Sequence, residues 1–181
     1  QNLEIENIYV DNKFFTIIPD ELWSHIPENE KRSFLTNDQN NLNFLSYGIS
    51  KYDSKVYWAI EKINLEKIKN SFPSSKIRHF CESIILFSKH DLQLNFFLGE
   101  KCIYISSFNK KKLVLVNRYE IENSDDALYF VLSVIKESEF ITQNFNIESW
   151  GINDENLISK LKDILPNNNI KYNKESNYKN F

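Results

Sequence analysis

LQLNFFLGEKCIYISSFNKKKLVLV, residues 92–116, is the stretch whose reading decides the fold. Leu92, Leu94, Phe96 and Leu98 alternate with Gln93, Asn95 and Phe97. A period of two marks a strand that lays one face on a core. Gly99-Glu100 follows, and a Gly-X pair between two strand-like runs predicts a tight hairpin with glycine at positive φ. Lys101 to Phe108 reads as the second strand, with Ile103 and Ile105 on one face and Cys102 and Tyr104 on the other. Asn109 to Lys112 is polar and turns the chain again. Leu113 to Val116 is a continuous aliphatic run, as expected of a strand covered on both faces.

Downstream the period changes. Asn123-Ser124 offers a helix cap, and Asp125 and Asp126 complement the dipole in the first turn. Leu128, Val131, Leu132 and Ile135 fall at i, i+3, i+4 and i+7, while Tyr129, Phe130 and Val134 predict burial on further sides. Ile147 to Ile152 reads as a strand ending near Gly151. Asn153-Asp154 caps a second helix, with Leu157, Ile158, Leu161, Ile164 and Leu165 inward and Pro166 stopping it. Ile170 to Tyr172 is a last short strand. Three hairpin strands followed by alternating helix and strand imply a mixed sheet with right-handed crossovers. That order, β-β-β-α-β-α-β, is the ribonuclease H-like core. Duplicated, the same core builds the actin, sugar kinase and heat-shock chaperone ATPases.

The 181 residues suit one large or two small domains, and 41% hydrophobic content supports a sizeable core. Lys and Arg number 22 against 25 Asp and Glu, so no basic excess marks the chain for nucleic acid. Cys81 and Cys102 form no disulfide framework and predict free thiols in a reducing, cytoplasmic setting. Ala127 to Leu132 is the longest apolar run, far below the roughly 20 residues that span a bilayer. The chain opens at Gln1 and contains no Met, which predicts a piece of a longer protein.

In the first half, Asn7 to Val10 and Phe14 to Ile18 flank Asp11-Asn12-Lys13 and suggest a hairpin. Leu22, Trp23 and Ile26 mark a short helix after Pro19-Asp20. Leu45 to Ile49 and Val56 to Ile60 read as paired strands. Asn64 is the expected cap of a helix with Leu65, Ile68 and Phe72 inward, ended by Pro73. Lys76 to Phe80 is a strand, and Glu82 to Lys89 a helix. Residues 1–89 thus read as an incomplete first subdomain, lacking its opening strands, and residues 90–181 as a second, closed by a polar tail from Asn173.

Three segments carry a resemblance: Phe14-Phe15-Thr16-Ile17-Ile18-Pro19-Asp20-Glu21-Leu22-Trp23, Phe72-Pro73-Ser74-Ser75-Lys76-Ile77-Arg78-His79-Phe80, and Asp125-Asp126-Ala127-Leu128-Tyr129-Phe130-Val131-Leu132. The chain resembles a family of uncharacterised proteins, mostly from Bacteroidetes, with an actin-like ATPase fold. More distantly it is similar to the ATPase-like scaffold proteins of type IV pilus assembly. The resemblance implies an α/β protein built on a duplicated ribonuclease H-like fold with mixed sheets, the N-terminal strands of its first half missing. It implies no activity.

An actin-like ATPase needs an acidic residue at the end of its first strand, then Gly and Thr or Ser, to hold hydrated Mg²⁺ and approach the phosphates. Here that stretch is Asn95-Phe96-Phe97-Leu98-Gly99-Glu100-Lys101, in which Asn95 brings no charge. Gly99 is explained by a hairpin, and Gly151 with Asn153 by a capped strand-to-helix turn. A ribonuclease H-like nuclease needs several converging carboxylates, and Leu92 to Leu98 has none. His79 with Cys81, and His90 with Asp91, lack zinc-site spacing. His25 and both cysteines read as packing or surface residues. Lys110-Lys111-Lys112 reads as a solvated turn; a contact to nucleic acid or another anionic partner is the sharper alternative.

The expected function is therefore a catalytically inactive scaffold, without cofactor or metal, that binds another protein. The alternative is a nucleotide-binding or ATP-hydrolysing protein using ATP with Mg²⁺, in which Gly99, Gly151 and Asn153 would flank the nucleotide.

Overall fold

The computed structural model describes residues 5–140 and 143–173, so the polar tail from residue 174 onward lies outside the described residues. The chain divides into two units, residues 1–82 and 83–180.

The first unit runs β1 (Asn7–Val10), β2 (Phe15–Pro19), α1 (Asp20–Trp23), α2 (Glu28–Ser33), β3 (Leu42–Ile49), β4 (Ser54–Glu61), α3 (Lys62–Ser71) and β5 (Lys76–His79). The hairpin expected between β1 and β2 does not form. β1 pairs in parallel with β5, Asn7 opposite Lys76, whereas β2 pairs antiparallel with β4, Phe15 opposite Trp58. Asn12 holds the link between them. Its Nδ2 donates to the Ala59 carbonyl at 3.0 Å, and its Oδ1 accepts from the Phe14 amide at 2.9 Å. β4 is the middle strand of the sheet β2-β4-β3. Its run Val56-Tyr57-Trp58-Ala59-Ile60 is buried throughout, as a strand covered on both faces requires. Asn64 is not the cap of α3. It lies within the first turn and donates to the Glu61 carboxylate at 3.1 Å.

α4 (Cys81–Ile85) is shorter than the helix expected over 82–89. The second unit then follows with β6 (Leu92–Leu98), β7 (Cys102–Asn109), β8 (Lys112–Glu120), α5 (Ser124–Glu137), β9 (Asn146–Gly151), α6 (Glu155–Ile164) and β10 (Asn169–Tyr172). Its sheet has the order β10-β9-β6-β7-β8. β6 runs parallel to β9 and antiparallel to β7, and β10 runs parallel to β9. One face carries Leu94, Phe96, Leu98, Ile103, Ile105 and Ile147 into a core with Ala127, Val131, Val134 and Ile135 of α5 and Leu157 and Leu161 of α6. α5 is amphipathic rather than buried on several sides: Tyr129 stays 65% exposed.

The other face of β6 is buried too, which alternation alone did not reveal. Gln93 and Asn95 are fully buried. The Gln93 Oε1 accepts from the amides of Lys89 (2.8 Å) and His90 (2.9 Å), and Asn95 Nδ2 donates to the Ile84 carbonyl at 3.1 Å. Residues 84–90 thus cover this face through directional bonds, and Phe87 stacks on Trp150 at 4.9 Å. An apolar residue at 95 would leave the Ile84 carbonyl with only the long Ser106 hydroxyl contact at 3.4 Å. A buried group left without its partner costs about 1–3 kcal/mol.

Candidate functional site

In a sheet of this order, ligands gather at the carboxyl ends of the parallel strands. Here those ends are Leu98 of β6 and Gly151 of β9, in register. Gly99–Lys101 connects β6 to β7, and the Gly99 amide donates to the Cys102 carbonyl at 2.9 Å. Gly99 does not take the positive φ expected of it, because the link is three residues long rather than two. A Cβ there would lie 3.3 Å from Cys102 Sγ and 3.4 Å from its carbonyl oxygen, so close approach is what favours glycine.

Gly151 is held far more tightly. Its φ is +89°, and a Cβ would stand 2.2 Å from the Leu98 carbonyl oxygen. The same oxygen accepts from the Ile152 amide at 2.8 Å, and the Tyr172 hydroxyl donates to the Gly151 carbonyl at 2.8 Å. Glycine is needed here so that β9 can lie against the end of β6. Asn153 is exposed on the turn, and Asp154 rather than Asn153 caps α6, accepting from the Leu157 amide at 2.9 Å.

The cleft above these strands has a volume of about 160 Å³, and its lining includes Gly99, Glu100, Glu122, Asn123, Ser124 and Asp154. Sites for drug-sized ligands run to roughly 300–1,000 Å³. Both helix ends that open on it are already satisfied. Asn123 Oδ1 accepts from the Asp125 and Asp126 amides at 2.8 and 3.1 Å, and Asp126 reaches back to the Glu122 amide at 2.8 Å. The Ser124 hydroxyl donates to the Asp154 carboxylate. Burial pushes the Asp154 carboxyl up, but the bonds from Ser124, Leu157 and Asn156, with Lys160 near, outweigh it and hold the group below the usual carboxylate range. The lining residues include three acids, Glu100, Glu122 and Asp154, and no Lys or Arg. Such a rim repels phosphate. Asp154 and Ser124 were missed as a pair in the sequence because they stand thirty residues apart; each carries only a local cap signal.

The other candidates stand elsewhere. His79 is fully buried in the first unit. Its Nε2 lies 3.0 Å from the Asn12 carbonyl, its Nδ1 accepts from the Cys81 amide at 3.1 Å, and its ring stacks on Phe15 at 4.4 Å. That is a packed histidine with both nitrogens committed. Burial pushes the Cys81 thiol well up, away from nucleophilic use. Both cysteines are free and buried. His90 stands 4.0 Å from Glu148, a buried carboxylate on β9 that the sequence reading did not single out. Lys110 and Lys111 form the tip between β7 and β8, and Lys111 pairs with Asp91 at 3.7 Å. Among the described residues no group of three or more His, Cys, Asp and Glu could hold a metal ion, and no helix is long and apolar enough to cross a membrane.

A family model described as protein of unknown function (DUF3822) matches residues 6–167. A solved protein of Bacteroides thetaiotaomicron, with actin-like ATPase fold and unknown function, superposes with a TM-score of 0.78 at 20% identity, over 91% of this chain and 67% of that chain. A solved PilM–PilN type IV pilus biogenesis complex superposes with a TM-score of 0.57 at 9% identity, over 87% of this chain and 65% of that chain. No curated protein matches. The chain therefore spans about two thirds of the length of these solved relatives. At such identities the likeness shows the fold alone, and that fold is the actin-like ATPase fold the sequence resemblance implied.

Proposed function

The chain belongs to the family of proteins of unknown function DUF3822, and from that premise we propose that it is a non-catalytic, actin-like scaffold that works by binding another protein. The cleft at the ends of β6 and β9 carries this reading: it is about 160 Å³, its lining holds three carboxylates, and the capping side chains of α5 and α6 fill the helix ends. The residues there do not fit ATP with Mg²⁺, so no hydrolytic step is derived. The solved PilM–PilN complex supports protein binding by analogy of fold, in which one chain of this architecture assembles with another protein. Two buried free thiols fit a reducing, cytoplasmic location.

The test is a thermal-shift titration of the full-length protein with ATP, ADP and GTP, each with Mg²⁺. A ligand at ~100 times its Kd adds about 2.7 kcal/mol, or roughly 5–11 °C for a domain of this size. No shift at millimolar nucleotide is expected. A nucleotide-selective, Mg²⁺-dependent shift with hydrolysis above background would overturn the scaffold reading in favour of an ATPase.

A further inference from the structure

The first unit holds a groove of about 590 Å³, within the size range of binding sites. One wall is β3, the outer strand of its sheet, through Leu45, Ser46 and Tyr47. The other is β5, through Lys76, Ile77 and Arg78, and Leu65 of α3 contributes apolar lining.

β5 gives alternate residues to β1: the Lys76 amide donates to the Glu6 carbonyl at 2.8 Å, and the Phe80 amide to the Val10 carbonyl at 2.9 Å. Alternation along a strand therefore turns the amide and carbonyl of Ile77 away from β1. His79, two residues on, confirms the direction: its amide donates to the Tyr47 hydroxyl of β3 at 3.0 Å and its carbonyl accepts from the same hydroxyl at 3.3 Å, which leaves the amide and carbonyl of Ile77 as the open part of this edge. Tyr47 thus closes one end of the groove, and the strand edge before it faces inward.

The charge is one-sided. Lys69, Lys76 and Arg78 are the ionisable lining residues apart from Tyr47, and no Asp or Glu is among them. Lys76 pairs with Glu6 at 3.3 Å, but both side chains are mostly exposed, so water screens that pair and a partner can replace it. Arg78 is fixed by Glu82 at 3.0 Å and lies 4.9 Å over the Tyr47 ring.

We infer that this groove takes an extended, acidic segment of a partner protein, which pairs with the amide and carbonyl of Ile77 on β5 while its carboxylates meet Lys69 and Lys76. Strand addition supplies main-chain bonds and the rim supplies selectivity. The inference rests on the scaffold reading and names the site and the chemistry of its partner.

The test uses the full-length protein and short fluorescein-labelled peptides that alternate valine with glutamate, valine with lysine, or valine with glutamate around a central proline. Anisotropy is read at physiological salt. The glutamate peptide is expected to bind at least about tenfold tighter than the lysine peptide, and proline is expected to remove binding. Lys69→Glu, on the exposed last turn of α3, should cut the preference for the glutamate peptide severalfold. Ile77→Pro should abolish binding while leaving the β1 pairing intact, with far-ultraviolet circular dichroism confirming the fold. Equal binding of the two charged peptides overturns the inference. So does absent saturable binding of the glutamate peptide at millimolar concentration, binding that survives both substitutions, or displacement by a single-stranded oligonucleotide in preference to the acidic peptide. A Mg²⁺-dependent nucleotide shift ends the scaffold reading whatever the peptides do. Without that shift, peptide failure ends only the groove assignment.

Discussion

The chain has three glycines, and replacing each by alanine separates backbone necessity from ligand binding. Gly151→Ala puts a methyl group 2.2 Å from the Leu98 carbonyl oxygen, at a φ of +89°. The left-handed backbone alone costs about 1–2 kcal/mol. Relieving the overlap means parting the ends of β6 and β9, which strains the bond from the Ile152 amide to Leu98 and that from the Tyr172 hydroxyl to Gly151, at about 0.5–1.5 kcal/mol each. The sum is about 2–5 kcal/mol, a large share of a typical 5–15 kcal/mol. Gly99→Ala meets tight contacts at 3.3–3.4 Å, which Cys102 relieves by giving a few tenths of an ångström, and Gly48→Ala meets nothing within 4 Å. The first should stay within about 1 kcal/mol of the parent, and the second should be neutral or gain up to about 1 kcal/mol by restricting the unfolded chain. Urea unfolding followed by tryptophan fluorescence suits the series, because Trp150 adjoins Gly151 and stacks on Phe87. The Gly151 midpoint should fall at unchanged slope. If Gly151→Ala unfolds within about 1 kcal/mol of the parent, or Gly99→Ala proves the more damaging, the close-approach account is wrong.

Two further outcomes follow from local geometry. Lys110 and Lys111 hold φ of 50° and 62° in the two-residue link between β7 and β8, so Lys110→Asn with Lys111→Gly should stabilise by about 1 kcal/mol, read as a rise in Tm; a fall would refute the strain assigned to this turn. Asp154→Ala removes the cap of α6 and the Ser124 bond and should cost about 1–2 kcal/mol at pH 7. The folded-state pKa of Asp154 is depressed, so its contribution is present above the unfolded value near 3.9 and is lost as pH falls through the lower folded value. Urea midpoints at pH 7 and pH 3 should therefore differ less in the variant than in the parent, and an equal difference would remove Asp154 from the account.

The second unit was legible because its signals are local. Leu92–Leu98 and Cys102–Asn109 announce themselves by alternation, and Asn123 and Asp154 stand where the two helices begin. The first unit was legible only in part: Leu45 to Ile49 and Val56 to Ile60 pair as read, but β1 and β2 find their partners in β5 and β4, far along the chain, and nothing within Asn7 to Ile18 encodes that choice. Gln93 and Asn95 look like a solvent face in sequence, yet the backbone of residues 84–90 returns to satisfy them. The helix expected over 82–89 stops at Ile85, and the amides of Lys89 and His90 go to Gln93 instead. At the candidate site, Gly99 and Gly151 were read as turn positions, and the close approach of Gly99 to Cys102 and of Gly151 to Leu98 was not foreseen. The positive φ was placed on Gly99, where the three-residue link has no use for it.

The caps of α5 and α6 have a consequence in mass action. A helix end that waits for a phosphate is filled in proportion to the concentration of that ligand. Asn123 and Asp154 are tethered to the ends they fill, so their occupancy has no concentration term. A phosphate competing for either end would have to displace a side chain that is always there.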